Sequence, residues 1–580
     1  MPPTKRRRVG DNISASRFPT RTGRDLLSPL SDELLLRILS FLSLPHLLAV
    51  APVSHRFYHL ASDSQLWKAL YYARFVLPRA MRIPGFRDSV AGSSAGHKLH
   101  YSGRQTLWAD GRRDEDGLKE EGTPQAVDWK RQYKIRYNWA RGKCAVEELK
   151  LGGDADVDDR GGRKTLVKVV EGFAVTADKA EGLRAWDLKS RQLMAQIGIG
   201  SHADDPSPSC IAIDDGEFEK GALDVALGFT DGSFGVWRLF TGDRRLVQRY
   251  RHEKSSNGEL IAVTLSCPYL LTATQSVLVS LYTFYVPASA AAPSLSRASR
   301  RPEADAEKDE NKPSPPAYAN DLSAPYLLTS LDSHTSRPPL ALSIRKTATT
   351  VIASVAYTFS TRQGWSIGIQ DLHISAPTAD IRSTPEIVTT RIAYATPLYA
   401  GGASHPPLTP PATPRNRRSN DALEPGVSSA TSSPSAHSEP GPTTLCYSHP
   451  YLLATLPDNT LVLYMCTSNA SSLSISQGIR LWGHTSGISD AEITARGKAV
   501  SVSFRGDEMR VWELEGRSAS IGSRSVAIRP DQTPARGEGD GDPARDWDER
   551  RNWVGFDDEM VIVLKEKKGA RDSLMVYDFT

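Results

Sequence analysis

His55 and His59 stand four residues apart, the spacing that puts two imidazoles on one helix face as in a zinc pair, but ArgPheTyr lies between them and no glutamate follows the first histidine. They read as ordinary helix residues. Asp154, Asp156 and Asp158 alternate like the carboxylates of a calcium loop. Asp159 then takes the place of the required glycine and Thr165 that of the bidentate glutamate, which leaves a solvated acidic loop. No G-x-x-x-x-G-K-[ST], G-x-G-x-x-G or G-x-S-x-G occurs, so phosphate cradles and nucleophile elbows have no support. Cys144, Cys210, Cys267, Cys446 and Cys466 fall singly, without a C-x-x-C pair, and read as free thiols of a reducing compartment. No catalytic residue, metal or cofactor is expected.

Two short signals suggest regulation instead. Lys5-Arg6-Arg7-Arg8 after ProProThr resembles a nuclear-import signal, the alternative being a solvated basic tail. Thr409-Pro410 and Thr413-Pro414 are candidates for proline-directed phosphorylation. With 71 Lys+Arg against 67 Asp+Glu over 580 residues the net charge is +4, too small to imply a nucleic-acid or membrane partner. Met1 to Asp25 has no apolar stretch of the kind a secretion signal needs. The most apolar window, Leu30 to Val53, is interrupted by Asp32, Glu33, Arg37 and Pro45, so it cannot span a bilayer. The expectation is a soluble protein of cytoplasm and nucleus.

The elements that would position any site are uneven along the chain. Residues 1–25 form a polar tail, and the tracts 82–126, 286–324, 400–442 and 516–548 lack a hydrophobic period, so they are expected to be disordered insertions. Between tail and first tract, Leu34, Ile38 and Leu42 recur every four residues with Leu35 and Leu39 beside them, a stripe wide enough to meet partners on two sides. Ser31, Asp32 and Glu33 open that helix, Ser43 and Pro45 a second, and two more follow over Val53 to Leu60 and Gln65 to Phe75. A small all-α bundle over 26–78 is expected.

LeuSerAspGluLeuLeuLeuArgIleLeuSerPheLeu, then ProHisLeuLeuAlaValAlaProValSerHisArgPheTyrHisLeuAla, then Leu66-Trp67, resembles the F-box, with Ser31 where that family usually has proline and Phe57 where it often has tryptophan. Beyond residue 165 a hexapeptide recurs seven times with an aromatic or Gln in fourth place, at Trp186, Trp237, Tyr282, Gln370, Tyr464, Trp512 and Tyr577. Its alternation is that of a strand, and each copy follows an apolar strand across a turn. Three of the six spacings are 45 to 51 residues, and the three longer ones contain the tracts. Seven copies imply seven four-stranded blades. The pattern resembles the WD-repeat propeller, although only Trp186-Asp187 is a literal Trp-Asp and only Gly483-His484 keeps the Gly-His pair. The chain ends after a third strand, so CysAlaValGluGluLeu (144–149) is expected to complete the last blade and close the ring. Residues 127–143 resemble the helical neck of F-box WD-repeat proteins.

The fold expected is therefore multidomain: an F-box at 26–78, a neck at 127–143 and an all-β seven-bladed propeller over 144–580 with disordered insertions. The resemblance implies a non-catalytic substrate receptor of a Skp/cullin/F-box ubiquitin ligase. It implies a Skp-family adaptor as partner, through it a cullin and a ring-finger subunit, and a protein substrate held on the propeller. The alternative is a propeller scaffold that binds the adaptor without a cullin. By position, Leu30, Leu34, Ile38, Leu42, Leu47 and Val53 become candidates for the adaptor face and its support. Arg362, Arg505, Lys567, Lys568 and Arg571, in turns between second and third strands, become candidates for reading a phosphorylated substrate.

Overall fold

The structure, a computed structural model, describes residues 27, 29–80, 127–151, 165–200, 205–285, 322–347, 350–362, 364–375, 385–397, 441–469, 471–504, 506, 508–514, 524–530, 552–565 and 572–580. The basic run at 5–8, the acidic loop at 154–159, Thr409, Thr413 and most of the four tracts lie outside them. The chain divides into two units, Met1–Arg136 and Tyr137–Thr580. Among the described residues no helix is long and apolar enough to cross a membrane.

The first unit is helical: α1 (Asp32–Leu39), α2 (Leu44–Val50), α3 (His55–Ala61), α4 (Ser64–Tyr71), a π-helical turn (Tyr72–Val76) and α5 (Leu77–Ala80). Caps set the boundaries. Ser54 accepts from the Phe57 amide before α3, and Asp63 accepts from the Gln65 and Leu66 amides before α4. Leu35, Leu39, Leu47, Leu60, Leu66 and Trp67 form the core. A further helix, α6 (Trp129–Arg141), begins in this unit. Its Tyr133 ring stands edge-on to Trp67, 5.4 Å between centroids, and Trp129 meets Tyr71 at 5.5 Å. Lys130 Nζ donates to Ser62 Oγ at 3.1 Å. The start of the neck is thus part of the helical core, which the separate ranges 26–78 and 127–143 did not anticipate.

Among its described residues the second unit contains seven sheets, antiparallel except for the short parallel pairing of Lys143–Cys144 with Arg529–Pro530. Their first strands, Leu166–Val170, Pro208–Asp214, Leu260–Ser266, Ser336–Lys346, Thr444–Ser448, Ile488–Ile493 and Asn552–Phe556, neighbour one another in sequence, and the last neighbours the first. They line the centre of a closed seven-bladed propeller. Every recurring hexapeptide supplies its blade's third strand, from Gly182–Asp187 in blade 1 to Ser573–Asp578 in blade 7. The fourth-place aromatics serve packing, with Trp237, Tyr464 and Trp512 at most 1% exposed. Trp512 Nε1 donates to Ser501 Oγ at 2.8 Å and His484 Nε2 lies 2.6 Å from the same oxygen. A Cβ on Gly483 would approach the Trp512 ring to 2.9 Å, which accounts for the surviving Gly-His pair.

Lys143–Lys150 runs antiparallel to Ser573–Asp578, Ala145 opposite Asp578 and Lys150 opposite Ser573, and so completes blade 7. Gly142, at φ +66° with its Cβ position 2.3 Å from Ala527 O, makes the turn from α6 into this strand. Just before it, Trp139 stacks on Phe579 at 4.0 Å and donates to Asp558 O, while Lys498 Nζ sits 3.7 Å above its ring.

One expectation is corrected. Arg524–Ala527 is the fourth strand of blade 6, paired with Met509–Glu513, and Arg529–Pro530 pairs with Lys143–Cys144, although both lie inside 516–548. An outermost strand needs only backbone partners and one or two buried side chains, here Ile528, so it carries no hydrophobic period to read.

Across the centre, Lys168 of blade 1 meets Glu492 of blade 6 at 2.7 Å, and Asp490 of blade 6 accepts from the Val554 amide of blade 7. Burial, reinforced by the Glu492 charge, pushes the Asp490 carboxyl up to about 7 against its hydrogen bonds and Lys168. The folded state therefore keeps a proton that the unfolded chain releases near pH ~3.9. The stability this group contributes is complete below that pH, declines as pH rises, and is gone above about 7. Asp490→Asn, whose amide oxygen can still accept from Val554, should gain melting temperature relative to wild type progressively from about pH 4 to about 7 and level off above that. A constant difference across that range in the propeller's thermal transition would show that Asp490 carries no such proton.

Candidate functional site

Helix α1 presents two apolar stripes. Leu35 and Leu39, one helical turn apart, are 2% and 3% exposed and face the core. Leu34, Ile38 and Phe41, at spacings of four and three, remain 54%, 45% and 75% exposed. Leu48 of α2 and Val53 beyond it are exposed as well, and Leu30 and Leu42 are half-buried. Leu47, 1% exposed, belongs to the core. The helical period puts its neighbour Leu48 outward in its stead. Phe41 and Leu48 are exposed apolar residues outside the sequence-based candidates, and the i, i+4, i+7 recurrence of Leu34, Ile38 and Phe41 is the signal that marks the first.

Arg56 ties this face together. Its Nε and Nη2 donate to Asp32 Oδ1 at 2.9 and 2.7 Å, and Nη2 also reaches Leu30 O at 2.6 Å. The ion pair is substantially exposed, so its charge contributes at most about 1 kcal/mol. Its larger effect is geometric, because the bond to Leu30 O fixes the chain entering α1. Trp67 closes the bundle by donating Nε1 to Ala61 O at 2.7 Å, which accounts for the terminal Leu-Trp.

On the propeller, Arg362 is exposed in the turn between the second and third strands of blade 4. Arg505, Lys567, Lys568 and Arg571 lie outside the described residues. Acidic side chains in equivalent turns are engaged locally. Asp178 accepts from the Ala180 and Glu181 amides and pairs with Arg184 at 2.8 Å. Asp231 accepts from the Ser233 amide and hydroxyl, and Asp458 from Thr460 and Arg480. Burial opposes ionisation of Glu508, but hydrogen bonds from Thr485 and Arg510 outweigh it and hold the carboxyl at about 2. These carboxylates shape turns and are spent in doing so.

Among the described residues no group of three or more His, Cys, Asp or Glu is placed to hold a metal. Burial pushes the thiols of Cys267, Cys446 and Cys466 up to about 12, where they stay protonated and unreactive.

Residues 144–580 match the family described as F-box protein pof12 beta-propeller, and residues 32–73 match the F-box-like family. The chain belongs to the F-box protein pof12 beta-propeller family. No curated protein matches it. Solved structures similar to it include that of U3-55K, 9% identical with a TM-score of 0.38 over 75% of this chain and 98% of that one. Another is the Cps50 (Swd1) beta-propeller domain of Myceliophteria thermophila, 11% identical with a TM-score of 0.36 over 75% and 100%. At such scores the likeness adds nothing to the strand order already described. An F-box implies binding of a Skp-family adaptor, and an F-box joined to a propeller is the architecture of non-catalytic substrate receptors in Skp/cullin/F-box complexes.

The buried and the exposed side of the helical unit separate by experiment. Leu47→Ala should remove about 2–5 kcal/mol from the helical unit and collapse hydrogen-exchange protection over residues 32–71. Phe41→Ala should leave that protection intact. Equal effects from the two substitutions would mean that Phe41 is not free of the core.

Proposed function

We propose that this chain is the substrate-recognition subunit of a Skp/cullin/F-box ubiquitin ligase. The observation that carries the reading is an F-box whose first helix and the turn after it keep Leu34, Ile38 and Phe41 exposed, in one chain with a closed propeller. In a monomer those side chains would be solvated at a cost of roughly 25 cal/mol per Å² of apolar area, which burial against an apolar adaptor groove recovers. Leu34, Ile38, Phe41, Leu48 and Val53 make the contact in this reading, with Leu30 and Leu42 at its margin. Leu35, Leu39 and Leu47 hold it from beneath.

The receptor does no bond chemistry of its own. Its contribution is tethering: a substrate lysine held near a charged conjugating enzyme reacts at an effective concentration set by the assembly and not by free diffusion. The propeller supplies the grip on the substrate, and its turns between second and third strands form the face offered to it.

Leu34→Asp with Ile38→Asp in the full chain should abolish recovery of the adaptor, the cullin and the ring-finger subunit, while the propeller's melting transition stays where it was. Recovery of the adaptor without any cullin from wild type would instead favour a scaffold. Undiminished adaptor binding by the double variant would overturn the assignment of the α1 face.

A further inference from the structure

A cavity of about 450 Å³ opens in the propeller among blades 2, 3 and 4, lined by Ser209, Glu259, Ile261, Gln275 and the run Pro338-Pro339-Leu340. Strand register places it on one particular face. Leu260 is opposite Thr274, Pro208 opposite Phe229 and Ser336 opposite Phe359, so the lining residues gather at the end where second strands turn into third strands. This is the face proposed above to meet the substrate.

Glu259 is the only charged residue among the described residues of the lining. Its backbone carbonyl accepts from the Gln275 amide at 3.0 Å, which fixes it at the rim, and the residue is half-buried. Among the described residues its carboxylate has neither a hydrogen bond nor a cation partner, whereas Asp178, Asp231, Asp458 and Glu508 on the same face are all engaged. Two neutral acceptors stand nearby. Ser209 Oγ gives its proton to Leu260 O at 2.5 Å and so has lone pairs to offer, and the Gln275 side chain is exposed. Ile261, Pro338, Pro339 and Leu340 supply apolar walls.

We propose that this cavity takes a cationic side chain of the captured protein, arginine ahead of lysine. A half-buried carboxylate beside further acceptors fits a donor-only head group, and a guanidinium's five N–H groups can serve more than one acceptor. The proline and aliphatic walls suit the methylene stem that leads to such a head. The volume lies within the ~300–1,000 Å³ of ordinary ligand sites and leaves space for flanking backbone. A phosphate would meet an unpaired negative charge, the opposite of what the candidate cations Arg362 and Arg505 were read to offer. That the cation comes from a ubiquitination substrate rests on the receptor reading; the chemical preference of the cavity does not.

The experiment selects random dodecapeptides displayed on phage against the full chain and against two variants, Glu259→Gln and Glu259→Lys, each first shown to melt like wild type. Wild type should enrich arginine, and less strongly lysine, at one fixed position. Glu259→Gln should lose that enrichment and bind the best wild-type peptide at least about tenfold more weakly, as loss of one charge-assisted hydrogen bond requires. Glu259→Lys should select an acidic residue there. Absence of an enriched cationic position in wild type, its persistence in Glu259→Gln, or enrichment of acidic residues by wild type would each overturn the proposal. Adaptor recovery is scored on the same preparations: its absence from wild type would sink the receptor reading while leaving the cavity's preference standing.

Discussion

Seven blades make a ring only if the last is joined to the first, and here that joint is one pairing: Lys143–Lys150 against Ser573–Asp578. Without it blade 7 would end on a bare strand, exposing unpaired amides and carbonyls to any other chain. The neighbouring elements are fitted to this joint. Gly142 turns the chain into it, Arg529 donates its amide to Gly142 O, and Trp139 stacks on Phe579 just past the final strand. The first strands can face one another around a centre because the circle is shut, and a shut circle lets Lys168 and Glu492 meet in front of blade 7.

Much of this was legible in the residues. Third strands announced themselves because each is buried on both faces and carries a large side chain at a fixed place, so the seven hexapeptides mark seven sheets. The closing strand followed from counting strands. Legibility failed wherever a strand is held mainly by backbone partners, as at Arg524–Ala527, whose composition resembles that of its surroundings. It also failed for contacts between distant blades. Nothing local marks Lys168 as the partner of Glu492, or Glu259 as a carboxylate left without one, since both depend on which strand ends the ring brings together.

In the helical unit the limit was different. The width of the apolar stripe on α1 was plain, and so was the existence of a second face, but sequence could not assign each leucine to inside or outside. A one-residue shift is a rotation of about 100° on a helix, and that separates Leu47 at 1% exposure from Leu48 at 48%. The two units differ in the surface they present: exposed Leu34, Ile38 and Phe41 on one, and turns with discrete charges such as Asp231 and Arg362 on the other.

The third strand of blade 3 ends at Thr283 and its fourth begins at Tyr326, so the sheet Leu260–Leu331 is assembled from pieces separated by some forty residues of chain. Closing such a gap costs entropy only logarithmically, about 0.6 kcal/mol for each doubling of its length. The pairing of Val279–Thr283 with Tyr326–Leu331 therefore depends little on the length of that connection, while Phe284 and Leu322, packed at its two ends, stay under full constraint.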